Sequence, residues 1–198
     1  MSLLNFEQYK ELVNIGEDWT PPHPNDPIDI DNVLRYLYRE YKNGYQENGS
    51  NGYDEDDEEE EDIVQGSLNQ KQKTLRALLT IRTPWRPLPN NIEHDINVLL
   101  QRAILTRDIV DAQKVPRVAE TFGLKDKSLE VENKLAIWRG DIASLKVDCI
   151  VNAANSALLG CFQPSHLCID NCIHAAAGPQ LRMDCKKIMD LQGFSSSF

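Results

Sequence analysis

Cys161, His166 and Cys168 fall within eight residues of one another in the stretch GCFQPSHLCIDN. Two soft thiolates and an imidazole favour zinc over magnesium or calcium. Catalytic zinc is held by three protein ligands with one position left open, and Cys-x4-His-x-Cys supplies three. Gly160 and Pro164 provide turns that would fold such a loop inward. A closed structural site is also open to this sequence, with Cys172, His174 or Cys149 as a fourth ligand. So is a pair of buried free cysteines beside a surface histidine. All five cysteines, Cys149, Cys161, Cys168, Cys172 and Cys185, lie in one 37-residue window. An odd number so bunched, after an N-terminus MSLLNFEQYKEL without a signal peptide's pattern, points to metal or thiol chemistry in an intracellular, cytoplasmic or nuclear, protein.

A second constellation precedes the cysteines. In VNAAN, Asn152 and Asn155 follow an apolar run, at the strand end where open α/β sheets bind ligands. In RGDI, Asp141 stands in the same relation to the run before it. A carboxylate there could accept a purine amino group, and asparagine amides could hold ribose hydroxyls without adding charge. Each of these residues is equally at home as a turn or helix cap.

The elements that must position these groups change in character along the chain. DIDNVLRYLYREY predicts a helix with Ile30, Val33, Leu34, Leu37 and Tyr41 on one face and Asp29 or Asp31 as cap. NFEQYKELVNI predicts a shorter one before it, across Pro21, Pro22, Pro24 and Pro27. Residues 42–66, rich in Asn, Gly and acid, predict a disordered linker. QKQKTLRALLTIRTPW predicts a helix stopped by Pro84, and NIEHDINVLLQRAILTRDIVDA a longer one carrying Ile92, Ile96, Leu99, Leu100 and Ile104. LAIW and VDCIVNAA then read as strands, the second apolar enough to be buried on both faces of a sheet. A helix on Ile173, Ala177, Leu181, Cys185 and Ile188 follows, capped by Asp170 or Asn171 and closed near Gly193. Strand, loop and helix open an α/β domain.

Charge sets limits on partners. The formal net charge is -10, yet nine acids form the unbroken run Asp54 to Asp62. Without them 21 basic residues face 22 acidic ones, and no basic patch argues for a nucleic acid. No apolar run approaches the length of a membrane span.

The segment GDIASLKVDCIVNAANSALLGCFQPSHLCIDNCIHAAAGPQLRMDC resembles the first half of a macrodomain. Its insert GCFQPSHLCID is similar to the zinc-dependent branch of that family, and LRALLTIRTPWRPLP resembles that branch's helical N-terminal extension. The resemblance covers about residues 66–185 and leaves residues 1–65 unexplained. It implies a three-layer α/β/α fold, here incomplete, that binds ADP-ribose and in the zinc branch removes single ADP-ribose units from proteins, most plausibly from Asp or Glu esters. By position, Asp141 would hold the adenine amino group, Ile142 would line its pocket, and Asn155 would contact the distal ribose. Asn152 would assist or tie loops together, while Cys161, His166 and Cys168 would hold the zinc. Asp170 falls where ordinary macrodomains place a water-activating acid; it could instead cap the helix or orient a ligand. Asn155 and Asp170 are thus the catalytic candidates, and His174 reads as structural.

The expected division is a helical segment over residues 1–41, the linker over 42–66, a helical extension over 67–131 and the half macrodomain over 132–198. The later strands and glycine-rich loop of a macrodomain are not in this sequence. VDCIVNAA should accordingly be exposed, and ADP-ribose binding weak. The leading reading is a mono-ADP-ribosylhydrolase fold acting on ADP-ribosylated protein. The competing ones are a non-catalytic ADP-ribose reader and a small zinc-binding interaction protein.

Overall fold

The computed structural model describes residues 20–46, 56–123 and 130–193. The helix expected over NFEQYKELVNI lies outside them. In chain order the elements are α1 (Ile30–Gln46), α2 (Asp56–Val64), α3 (Leu68–Ile81), α4 (Asn90–Leu105), β1 (Val110–Asp111), α5 (Val118–Thr121), β2 (Leu145–Lys146), α6 (Ile169–Ala177) and α7 (Pro179–Leu191). Short 3-10 turns occupy Ala112–Lys114, Glu130–Asn133 and Ile142–Ser144. The chain divides into two compact units, Met1–Ala103 with Asn152–Phe198, and Ile104–Val151. None of the described helices is long and apolar enough to cross a membrane.

The first unit is built on the apolar faces of α1, α3 and α4. Val33, Leu34 and Leu37 of α1 meet Leu75 and Leu78 of α3 and Ile92, Ile96 and Leu99 of α4, all buried. The 3.6-residue period predicted these faces. Asp29 caps α1, its Oδ1 accepting from the Asn32 amide at 3.0 Å. Ser67 and Gln70 form a capping box at the start of α3. Tyr41 and Ile104, expected on the apolar faces, are each 39% exposed.

The acidic run is not simply a linker. All but its first two residues lie in α2, beside α1, where Arg35, Arg39 and Lys42 recur at intervals of four and three on one face. Arg39 Nε and Nη2 donate to the two Glu60 oxygens at 2.8 and 2.6 Å, Arg35 pairs with Glu61 at 2.7 Å, and Lys42 pairs with Glu59 at 2.5 Å. The hydrogen bond it donates to Glu59 holds the Lys42 ammonium above its ordinary range. Val64 at the end of α2 enters the core. Like charges adjacent in sequence tolerate a helix here because the opposite charges are supplied by the same chain.

The last helix of the sequence reading is two helices. Pro179 has no amide to continue α6 and restricts the residue before it, and Gly178 takes φ +84° and ψ -177° to turn the chain. A Cβ on Gly178 would lie 2.5 Å from Leu100 Cδ1 of α4, so a side chain there would have to displace that methyl as well. Cys168, not Asp170 or Asn171, is the N-cap of α6. Gly193 closes α7 with φ +75°, as its type predicts.

The second unit holds the sheet. β1 and β2 pair in parallel, Val110 with Leu145 and Asp111 with Lys146. LAIW contributes a single antiparallel bridge, Arg117 to Ala136. Residues 147–154, read as a strand fit for burial on both faces but left exposed here for want of neighbours, form no strand, and Val147, Ile150 and Val151 are 42, 38 and 85% exposed, as that expectation of exposure requires. A strand buried on both faces needs neighbours to pair with, and among the described residues the sheet has two strands. The fold is therefore mixed helix and sheet with a helical N-terminal region, and the three-layer stack is not assembled among the described residues.

Candidate metal centre

The loop between Asn155 and α6 is fixed by side-chain amides that bond to its backbone. Asn155 Nδ2 donates to the Gly160 carbonyl at 2.8 Å, while its Oδ1 accepts from the Ala157 amide at 3.1 Å. Asn171, buried in the first turn of α6, donates Nδ2 to the carbonyls of both Gln163 and His166 at 2.8 Å. These two asparagines grip the loop on either side of its ligands. Asn171 was expected as a cap, and its clamping of the loop had no signal in local spacing.

So held, Cys161 Sγ, a ring nitrogen of His166 and Cys168 Sγ all lie within 4.8 Å of one another. Cys161 Sγ is 3.4 Å from His166 Nδ1. Zinc bonds of about 2.3 Å to sulfur and 2.0 Å to nitrogen imply ligand separations of roughly 3.4–3.8 Å in a tetrahedron. The donor set therefore fits zinc after shifts on the order of 1 Å. His166 is exposed and the two thiols are half-buried, which leaves the centre open on the imidazole side. Cys168 Sγ also accepts from the Asn171 amide at 3.4 Å, which fixes the thiol at the start of α6. Among the described residues the cluster comprises these three; Cys172 and His174 are not in it. Cys149 belongs to the other unit and is exposed.

Beneath the loop lies a buried polar group. Asp170 is 5% exposed; its Oδ1 accepts from Asn152 Nδ2 at 2.7 Å and stands 3.5 Å from His174 Nε2. Asp170 thus anchors Asn152 and does not cap α6. Burial pushes the His174 imidazole below its ordinary value, Arg182 adds to this, and Asp170 opposes both. Asn152 Oδ1, His174 Nδ1 and Arg182 Nε are buried without a protein partner.

Arg182 escaped the sequence reading. It is 6% exposed, and its Nη1 donates to the carbonyls of Leu79, Thr80 and Arg82 at 3.2, 2.9 and 2.7 Å. These are carbonyls at and just past the end of α3, which the helix itself leaves unsatisfied. Burial lowers the guanidinium to about 10, and Asp170 pulls it back up. Its signal in the sequence is an arginine three and seven residues before Cys185 and Met189, on their helical face.

Asp141 and Ile142 belong to the second unit. Asp141 Oδ1 accepts from the Ala143 amide at 3.0 Å, capping the turn Ile142–Ser144, and its Oδ2 lies 3.8 Å from Arg107 Nη1. Ile142 is half-buried. The capping alternative for Asp141 is thus realised. Asn152, Asn155, Asp170 and the three metal-ligand candidates all belong to the first unit, Asn155 bonded to the loop and Asn152 to Asp170.

Comparison with known proteins points the same way. Residues 151–195 match the family model "Macro domain". The chain is 41% identical over 138 residues to a protein-ADP-ribose hydrolase of Treponema medium, across 70% of this chain and 45% of that protein. Over 70 residues it is 53% identical to a protein-ADP-ribose hydrolase of Staphylococcus aureus (strain Mu50), across 35% of this chain and 26% of that one. The chain thus spans less than half the length of these curated relatives. Helix and sheet content, a helical N-terminal region and the matched residues agree with an incomplete α/β macrodomain.

Proposed function

We propose that the chain is the metal-loop portion of an ADP-ribose-binding macrodomain that releases single ADP-ribose units from modified protein side chains, with Asp and Glu esters as the substrate linkage. The observation that carries this reading is the Cys161, His166 and Cys168 triad, gripped by Asn155 and Asn171 and open on one side, in a chain whose relatives are named protein-ADP-ribose hydrolases. Zn2+ is the metal the donor chemistry favours. When bound in such an open site, zinc stabilises negative charge and organises hydroxyl or water ligands.

The chain's own residues would then divide the remaining work. Asn155, adjoining the loop it holds, is proposed to contact the distal ribose, with Asn152 fixed by Asp170 beside it. Asp170 is proposed as the acid that aligns this floor, or as the water-activating group of the resemblance; Asp170→Asn separates the two, since the amide keeps a hydrogen-bond acceptor for Asn152 but cannot take a proton. Asp141 and Ile142 stand for the adenine contacts on residue type alone. Residues 67–131 and 132–198 are proposed as helical extension and half macrodomain, in a cytoplasmic protein.

The test is release of ADP-ribose from an Asp/Glu-ester-modified protein by the metal-loaded chain. Release that falls at least tenfold in Asn155→Ala or Cys161→Ser supports the hydrolase reading. Zinc and ADP-ribose binding without release would favour the reader, and zinc binding without ADP-ribose binding the interaction protein.

A further inference from the structure

We infer that Arg182 is a positioning residue for the metal loop, coupling the end of α3 to the ligand Cys161; the inference rests on the proposed metal centre. Both neighbours of Cys161 rest on this one side chain. The guanidinium carbon of Arg182 lies 4.4 Å from the centroid of the Phe162 ring. On the other side, Gly160 has φ +78°, and a Cβ there would stand 2.9 Å from the His174 ring and 3.1 Å from Arg182 Nη2. The backbone of Gly160 is therefore seated directly on Arg182 and His174.

The guanidinium is itself immobilised from the opposite side. Three carbonyls of α3 and the residue after it, Leu79, Thr80 and Arg82, converge on Nη1. Arg82 is in turn held by Glu40 of α1, its Nε donating at 2.7 Å and its Nη2 at 3.0 Å. A rigid planar group is thus held by the helical N-terminal region and presents its other parts to the loop. Arginine suits this task because its planar fork can donate to several carbonyls at its edge and stack an aromatic ring on its face at once. Lysine, a point charge on a flexible stem, can reach the carbonyls but cannot supply the flat face.

What the placement supplies is the orientation of the Cys161 thiol. Groups that orient metal ligands from behind change metal affinity by about 10- to 100-fold when removed. By this route the helical region, which supplies no ligand, contributes to the metal centre.

The experiment is the zinc dissociation constant of the full chain by competition with a chromophoric chelator, with the thiolate-to-cobalt absorption of the Co2+ form as a second readout. The variants are Arg182→Met, Arg182→Lys, Phe162→Leu and, as a stability control in the helical core, Ile96→Val. Arg182→Met and Phe162→Leu should weaken zinc by about tenfold or more and shift the cobalt band, Arg182→Lys should fall between, and Ile96→Val should lower stability without changing affinity. Should Arg182→Met fail to fold, Phe162→Leu, which leaves the guanidinium in its ring of carbonyls, decides. Wild-type zinc affinity in both Phe162→Leu and a folded Arg182→Met overturns the inference and leaves the metal centre standing. An equal loss in Ile96→Val overturns it as well, and a wild-type chain that binds no zinc removes the metal centre and the inference together.

Discussion

The side-chain amide of Asn171 donates to the carbonyl of His166 at 2.8 Å and, through the same nitrogen, to that of Gln163 at 2.8 Å. A residue of the helix that follows thereby fixes the backbone on which the imidazole ligand stands. Asn171→Leu removes both donations, leaving the Gln163 carbonyl only the His166 amide and the His166 carbonyl without its side-chain donor, a loss of about 1–3 kcal/mol. Zinc affinity should fall about 10-fold or more, because the loop no longer holds His166 near Cys161. Chelator competition and urea unfolding measured together check both effects.

Gly178 predicts a purely conformational cost. At φ +84° and ψ -177° it occupies a region close to glycine-only, and Leu100 stands where a Cβ would go. Gly178→Ala should destabilise the chain by about 1–3 kcal/mol from backbone strain, with a further loss from displacing Leu100. Adding Leu100→Ala would relieve the contact but not the strain, so urea midpoints of the double variant should not return to the value of Leu100→Ala alone.

The buried His174 sets a pH dependence. Its imidazole, depressed by burial and by Arg182 with Asp170 opposing, binds its proton less readily in the folded chain than in the unfolded one. The unfolded state therefore takes up more protons as pH falls, and stability declines below the ordinary imidazole value of 6.5. Above it the contribution is fully present. His174→Gln removes the titrating group and should flatten that part of the stability profile between pH 7 and 5, measured against wild type at constant metal.

Docking of α2 on α1 is electrostatic and should respond to salt. The pairs of Arg35, Arg39 and Lys42 with Glu61, Glu60 and Glu59 are mostly at the surface, where each contributes little and is screened by salt. Arg39→Glu, or 1 M salt, should speed amide hydrogen exchange in residues 59–64 severalfold while leaving the α3 core amides unchanged.

These relationships show what a linear sequence can and cannot reveal. The apolar faces of α1, α3 and α4 were legible because a 3.6-residue period repeats over several turns. The triad was legible because its ligands are close in sequence. Arg182 was not, since its acceptors lie about a hundred residues earlier in the chain. Nor was α2, whose acidic run reads as a linker until Arg35 and Arg39 are placed opposite it. VDCIVNAA has a strand's composition, but strand formation depends on partners, and β2 ends at Lys146. The break at Gly178 and Pro179 is present in the sequence, but the apolar stripe from Ile173 to Ile188 runs across it without a change of period.

The measurement that tests the central claim most directly is metal content of the purified chain by inductively coupled plasma mass spectrometry, alongside a Cys161→Ser, Cys168→Ser variant. About one zinc per chain, lost in the variant, is the predicted result. Absence of zinc from a folded wild-type chain, or its retention in the double variant, would contradict the assignment of Cys161, His166 and Cys168 as a metal centre.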